Sequence, residues 1–186
     1  MGIKVYNSLT RTKEEFKPKK AEQVSIYVCG VTVYDVCHLG HLRSALVFDV
    51  IRNYFKYRGY VVRFVKNITD VDDKIITKAQ ALAAENKDQD LQEASREIAQ
   101  KYTDLYHQDM VSFGIQPPDI EPKATEHITE IQQLIQKLID NGFAYSSQGN
   151  VYFQVDKLPG YGKLSGRNPK QMQAGARIEP DQTKKS

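Results

Sequence analysis

Four residues with the chemistry to bind or activate a ligand lie within thirteen positions: Cys29, Cys37, His38 and His41. The sharpest pattern among them is His38-Leu39-Gly40-His41, which sits between a strand-like run and the amphipathic stretch that follows it. Histidines three apart near a helix amino terminus can point toward one ligand, and the intervening glycine lets a nucleotide approach the backbone. A triphosphate would meet free amides, a dipole end of about half a charge and two imidazole donors together. Displacement at phosphorus needs mainly positioning and charge stabilisation, so such donors suffice without a nucleophile or a base. His38 and His41 are therefore the candidate catalytic donors, and His38, Gly40 and His41 the candidate contacts to a nucleotide triphosphate. The plainer alternative makes both histidines helix-cap and surface residues. A third assignment joins Cys29, Cys37, His38 and His41 around zinc, but adjacent Cys37 and His38 cannot easily both turn onto one ion alongside His41. Cys29 ends a strand beside the candidate nucleotide edge; Cys37 reads as packing, like most lone cysteines.

The elements that must place these residues follow from periodicity. Residues 24–29 (VSIYVC) form a β-branched and aromatic run ended by Gly30, expected to be a buried strand. The HLGH motif is expected in the loop that follows. From Leu42 apolar residues recur at helical spacing until Gly59, the natural carboxyl-terminal cap of a helix of about four or five turns. Val61, Val62, Phe64 and Val65 mark a second buried strand. Strand, loop, helix and strand close as a right-handed crossover with parallel strands, and ligands bind at their carboxyl ends. A helix is expected to begin at the acidic residues Asp70, Asp72 and Asp73, with a polar break near Lys87. Leu91 to Leu105 carries the next helical stripe, ending before Gly114 and Pro117-Pro118, and Ile128 to Ile139 another, stopping at Asn141-Gly142. FAYSSQGNVYFQV reads as a hairpin, and beyond Tyr161 the chain is polar and glycine-rich. The expected class is α/β, with a nucleotide-binding half over 1–115 and a helix, hairpin and polar tail over 116–186.

Composition narrows the class further. The 186 residues are 40% hydrophobic and 26% charged, an ordinary globular balance rather than a disordered or membrane one. A formal charge of +3 decides nothing about partners. The amino terminus lacks a signal-peptide core and no apolar run approaches a membrane span. With only two cysteines, eight apart, a reducing cytoplasmic setting is expected, with no membrane partner.

YVCGVTVYDVCHLGHLRSALVFDV followed by FVKNITDVDDKII resembles the opening of the cysteinyl-tRNA synthetases, and the likeness runs on through EPKATEHI to YGKLSGRN and AGARIE. The resemblance implies part of a Rossmann-like, class I nucleotide-binding domain with a connecting insertion. It implies that Cys29 helps to hold one zinc ion, that Cys29, Gly30, Thr32 and Thr69 lie against bound cysteine, and that His38, Gly40 and His41 contact ATP delivered with Mg2+. Substrates would be L-cysteine, ATP and tRNA(Cys), and the protein a monomer. Zinc accepting the substrate thiol as thiolate separates cysteine from serine, a near-isostere that shape alone resolves only about a hundredfold. The family also carries a Lys-Met-Ser-Lys-Ser loop, further zinc ligands and an anticodon-reading helical domain, none of which stands in these residues. The resemblance therefore places the remaining zinc ligands beyond Ser186. The expectation is a portion of a longer enzyme, inactive alone. Two competing readings are a ligase that hands cysteine to an amino sugar, as in the mycothiol pathway, and a non-catalytic binding module. Asp70, Asp72 and Asp73 can be read as a magnesium site or as helix capping. Arg43, Arg52, Arg58, Arg63 and Lys66 can be read as contacts to transfer RNA or as a solvated basic face.

Overall fold

The computed structural model describes residues 2–85 and 90–166. The expected break near Lys87, the AGARIE segment and Ser186, past which the further zinc ligands are expected, lie outside the described residues. Two compact groups emerge: residues 18–128, and residues up to 17 together with those from 129 onward.

In the first group, β3 (Gln23–Val28), α1 (Leu39–Tyr57) and β4 (Val61–Lys66) form the expected strand–helix–strand unit; the preceding strands β1 (Lys4–Asn7) and β2 (Thr12–Glu15) belong to the second group. β3 and β4 are parallel, paired from Gln23 with Val61 to Val28 with Lys66. Helix α1 stops because Gly59 takes φ +85°, a left-handed conformation that costs little without a Cβ. Its amide donates to Lys56 O at 3.0 Å and that of Tyr60 to Phe55 O at 3.1 Å, the paired bonds of a Schellman end. The Phe55 and Tyr60 rings meet edge-on at 5.6 Å across the same turn. The same bonding closes α3 (Leu91–Ser112) and α4 (Ile128–Asp140).

Neither strand is buried on both faces, as its apolar run suggests. Val24, Val28, Val62, Phe64 and Lys66 are buried, whereas Ser25, Tyr27, Val61 and Arg63 are exposed. Alternation of this kind follows when cover lies over one face of a sheet. β4 has a further neighbour that proline disguised in the sequence. Residues 119–124 run parallel beside it, with Lys66 N–H donating to Ile120 O at 3.1 Å, Ile68 N–H to Pro122 O at 2.9 Å and Ala124 N–H to Ile68 O at 3.2 Å. Pro117, Pro118 and Pro122 supply no amide, which suits an outer lane.

α2 (Asp73–Glu85) and α3 pack through small residues, Ala79, Ala94 and Ala99, into a core with Val33, Ile68, Ile75, Ile98, Tyr106, Met110 and Ile115. One buried cation pins α1 to the proline segment. Arg52, 1% exposed, pairs with Asp49 and donates to Pro117 O at 2.7 Å and Gln116 O at 3.0 Å, while its guanidinium lies 5.0 Å from the Phe64 ring centroid. Arg52 and Lys66 therefore leave the basic face proposed from sequence: both are interior groups, and Arg43, Arg58 and Arg63 are the exposed ones.

In the second group, β1 (Lys4–Asn7) and β2 (Thr12–Glu15) form an antiparallel hairpin, with the Asn7 side chain accepting from Leu9 N–H at 2.9 Å in the turn. Its polar strands carried too weak an alternation to be anticipated. β5 (Ala144–Ser147) and β6 (Asn150–Phe153) form the second, expected hairpin after α4, turning at Gln148-Gly149, with Tyr145 and Tyr152 opposite one another.

Candidate active site

The carboxyl ends of β3 and β4 converge at Gly30 and Asn67. The Asn67 carboxamide oxygen accepts from Gly30 N–H at 2.9 Å and from the Tyr27 hydroxyl at 2.9 Å, and its nitrogen donates to Thr69 Oγ1 at 3.3 Å. Parallel pairing then resumes one step further on. Thr32 bridges Thr69, with Thr69 N–H donating to Val31 O at 3.0 Å and Val33 N–H to Thr69 O at 3.2 Å. The structure thus gathers Gly30, Thr32 and Thr69 on neighbouring lanes, with Cys29 directly before Gly30. The Cys29 thiol is exposed, whereas Cys37 is half-buried against the core and burial raises its pKa. Asn67 is the organising residue that sequence reasoning passed over; its signal was only its place in the KNITD segment.

His38 and His41 are not in a loop. His38 is the amino-terminal cap of α1 and Leu39, Gly40 and His41 form its first turn. His38 Nδ1 accepts from Gly40 N–H at 3.0 Å, and His41 Nδ1 accepts from His38 N–H at 3.3 Å. The helix begins three residues earlier than its apolar stripe because two imidazoles satisfy amides that would otherwise lack partners. The cap reading and the ligand reading of these histidines are therefore compatible, since capping engages Nδ1 and leaves Nε2 on the far side of each ring. Burial, His38 and Lys66 together hold the His41 pKa below its ordinary value, burial contributing most.

Two lysines tie neighbouring segments to the helices. Lys66, 8% exposed, donates to the Tyr106 hydroxyl, and burial lowers its pKa while the neighbouring Glu121 opposes the shift. Lys78 on α2 donates to Tyr102 Oη at 2.7 Å and Tyr34 O at 2.9 Å and reaches Asp35 at 3.4 Å, strapping the segment before His38 to the helices. Neither lysine announces itself in sequence, because its partners lie 24 to 44 residues away.

The acidic set resolves toward capping. Asp72 Oδ1 accepts from Lys74 N–H at 3.0 Å at the start of α2, Asp73 lies in its first turn, and Asp70 accepts from Thr125 N–H at 3.0 Å and from its hydroxyl. Among the described residues no group of three or more His, Cys, Asp or Glu side chains is arranged to hold a metal ion. The donor set does not make a closed zinc site, and both Nδ1 atoms of the histidine pair are committed to amides. The Cys29 thiol is exposed, and the histidine Nε2 atoms are not used by the cap. No described helix is long and apolar enough to cross a membrane.

Residues 15–186 match the family model described as "tRNA synthetases class I (C) catalytic domain". The chain belongs to this family. It is 52% identical over 99% of its length to the cysteine--tRNA ligase of Thermodesulfovibrio yellowstonii, of which it covers 37%. It is 52% identical over its whole length to that of Persephonella marina and 48% identical to that of Desulfotalea psychrophila, covering 36% of each. The chain thus spans little more than a third of these relatives. Against that background the α/β architecture, with one parallel strand pair, is that of part of a class I synthetase catalytic domain.

Proposed function

We propose that residues 1–115 form the amino-terminal half of a Rossmann-like nucleotide-binding domain, that residues 116–186 belong to its connecting region, and that the chain works within a cytoplasmic, monomeric cysteine--tRNA ligase that activates cysteine with ATP and esterifies tRNA(Cys). The observation that carries this reading is the junction at the carboxyl ends of β3 and β4, where Cys29, Gly30, Thr32 and Thr69 assemble and from which the chain leads into the histidine-capped start of α1.

On this reading the cysteine carboxylate attacks the α-phosphorus of ATP, the bond to the β-phosphate breaks, and pyrophosphate leaves with the bonding electrons. His38 and His41 hold the departing charge, and Mg2+ would accompany the phosphates. No side chain must accept a proton, since the attacking carboxylate is already ionised. A terminal ribose hydroxyl of the transfer RNA then displaces AMP. Thr32 and Thr69 line the amino-acid position, and Cys29 serves as one zinc ligand, zinc supplying selectivity for a thiolate.

A chimera tests this. Residues 1–186 replace the matching 37% of the Thermodesulfovibrio yellowstonii ligase, and cysteine-dependent exchange of pyrophosphate into ATP is measured. Exchange together with charging of tRNA(Cys) is expected; a soluble chimera that supports neither refutes the reading, and exchange with transfer to an amino sugar alone would favour the mycothiol-type alternative. In the same chimera His41→Ala should slow adenylate formation about a hundredfold, the usual loss of one charge-stabilising donor, with a smaller change in the cysteine requirement. Cys29→Ser should lower bound zinc and raise the cysteine needed for half-maximal rate. Unchanged metal content would remove Cys29 from the ligand set.

A further inference from the structure

A neutral imidazole carries one N–H and one lone pair, and its tautomer is decided by what the unprotonated nitrogen accepts. At the start of α1 both rings use Nδ1 as the acceptor, one from the Gly40 amide and one from the His38 amide. The rings stack with centroids 4.0 Å apart and planes inclined by 25°. Two imidazolium rings cannot keep this arrangement: each Nδ1–H would face an amide hydrogen, and like charges would lie in contact.

Taking the nucleotide site proposed above as given, we infer that His38 and His41 are a reciprocally capped pair held as neutral Nε2–H tautomers, which positions two N–H donors for the triphosphate, and that acid opens the pair instead of tightening its hold on the anion. Gly40 belongs to this device. A Cβ there would stand 2.8 Å from His38 Cε1 and 2.9 Å from Nδ1, so any side chain pushes the ring away from the amide it caps. The glycine is needed for the histidine as well as for the nucleotide.

The charged groups that act on the pair lie on more than one element. Facing His41 are His38 on its own turn and Lys66 at the end of β4; Lys66 in turn faces Glu121, Tyr106 on α3 and Cys37. A buried ammonium near His41 opposes its protonation, in keeping with the lowered His41 pKa. The direction of the pH effect follows. Because the folded value lies below the ordinary 6.5, the unfolded chain binds this proton first; the stability of the cap is complete above that pH and is lost as pH falls through and below it.

Long-range 1H–15N spectra of the four histidines in the 15N-labelled chain test the inference, with His38 and His41 assigned from His38→Asn and His41→Gln. Asn and Gln retain cap acceptors at these positions, so the helix start survives the assignment variants. Expected at pH 8 are Nε2–H patterns for both rings, a His41 midpoint below 6.5, and backbone amide shifts of His38 and Gly40 that move together with ring protonation. In Gly40→Ala the His38 ring should relax to a tautomer mixture while His41 keeps its pattern. An Nδ1–H signal from either ring, or amides that stay put while the rings titrate, would overturn it. These spectra are read without ATP, so a failed pyrophosphate exchange in the chimera would sink the ligase reading and leave the histidine pair standing, and the converse holds equally.

Discussion

Replacing Gly30 by Ala should lower the stability of the β3–β4 unit by about 3 kcal/mol, the upper part of the range for overpacking. An added Cβ would stand 1.4 Å from the carbonyl oxygen of Asn67 and 2.6 Å from its carbonyl carbon. Both are backbone atoms on the neighbouring lane, so no rotamer change relieves the overlap; the two lanes must separate. Separation breaks the bond from Gly30 N–H to Asn67 and pulls Asn67 from Tyr27 and Thr69, the contacts that bring Thr69 beside Thr32. Stability and the pairing of Thr32 with Thr69 should therefore fall together. Urea unfolding followed by far-UV circular dichroism, suitable for a chain without tryptophan, should show the midpoint displaced by about 1–2 M. A variant that unfolds at the original urea concentration would mean that the two backbones are not in contact at this point.

Arg52→Ala should be comparably damaging, by about 3–5 kcal/mol, as expected when one partner of a buried charged network is removed. The guanidinium is 1% exposed and serves two carbonyls and one carboxylate at once. Its loss leaves Pro117 O and Gln116 O without their donor, leaves Asp49, with 12% side-chain exposure, only the Asn53 carboxamide as a side-chain donor, and opens a void against Phe64. Arg52→Lys should recover only part of the loss. An ammonium restores charge but cannot span donors to Gln116, Pro117 and Asp49 with the fixed fork of a guanidinium. If Ala costs less than about 1 kcal/mol in the same urea measurement, the side chain is solvated and the proline segment is held by its backbone bonds to β4 alone.

Both residues show where sequence reasoning reached and where it stopped. Gly30 was legible as the end of a strand, yet nothing within a few positions of it reveals that Asn67, 37 residues on, occupies the space of its missing side chain. Arg52 stands among scattered basic residues that read as transfer RNA contacts or a solvated face; its carbonyl partners are 64 and 65 residues away. The third lane over 119–124 was hidden because prolines signal a loop, although an outer lane bonded along one edge can accommodate them. The HLGH motif, expected in a loop with capping only as the plainer alternative, lies at the helix start for a different reason. The apolar periodicity becomes regular only from Leu42, while the helix begins where its first amides find acceptors, and here those acceptors are imidazoles.

What the sequence alone determined is what short-range physics controls: a strand–helix–strand unit with parallel strands, helices ended by Gly59, Gly114 and Asn141-Gly142, a hairpin about Gln148-Gly149, and a histidine pair at the helix start. Caps, turns and hydrophobic periodicity act within about four residues, so they are written in adjacent letters. Tertiary structure decided which face of each strand is covered, that Arg52 and Lys66 lie inside, that Asn67 knits Gly30 to Thr69, and that Cys29 is the exposed thiol. Those outcomes depend on groups tens of residues apart competing for the same space, donors and solvent, and only closure of the chain brings them into competition.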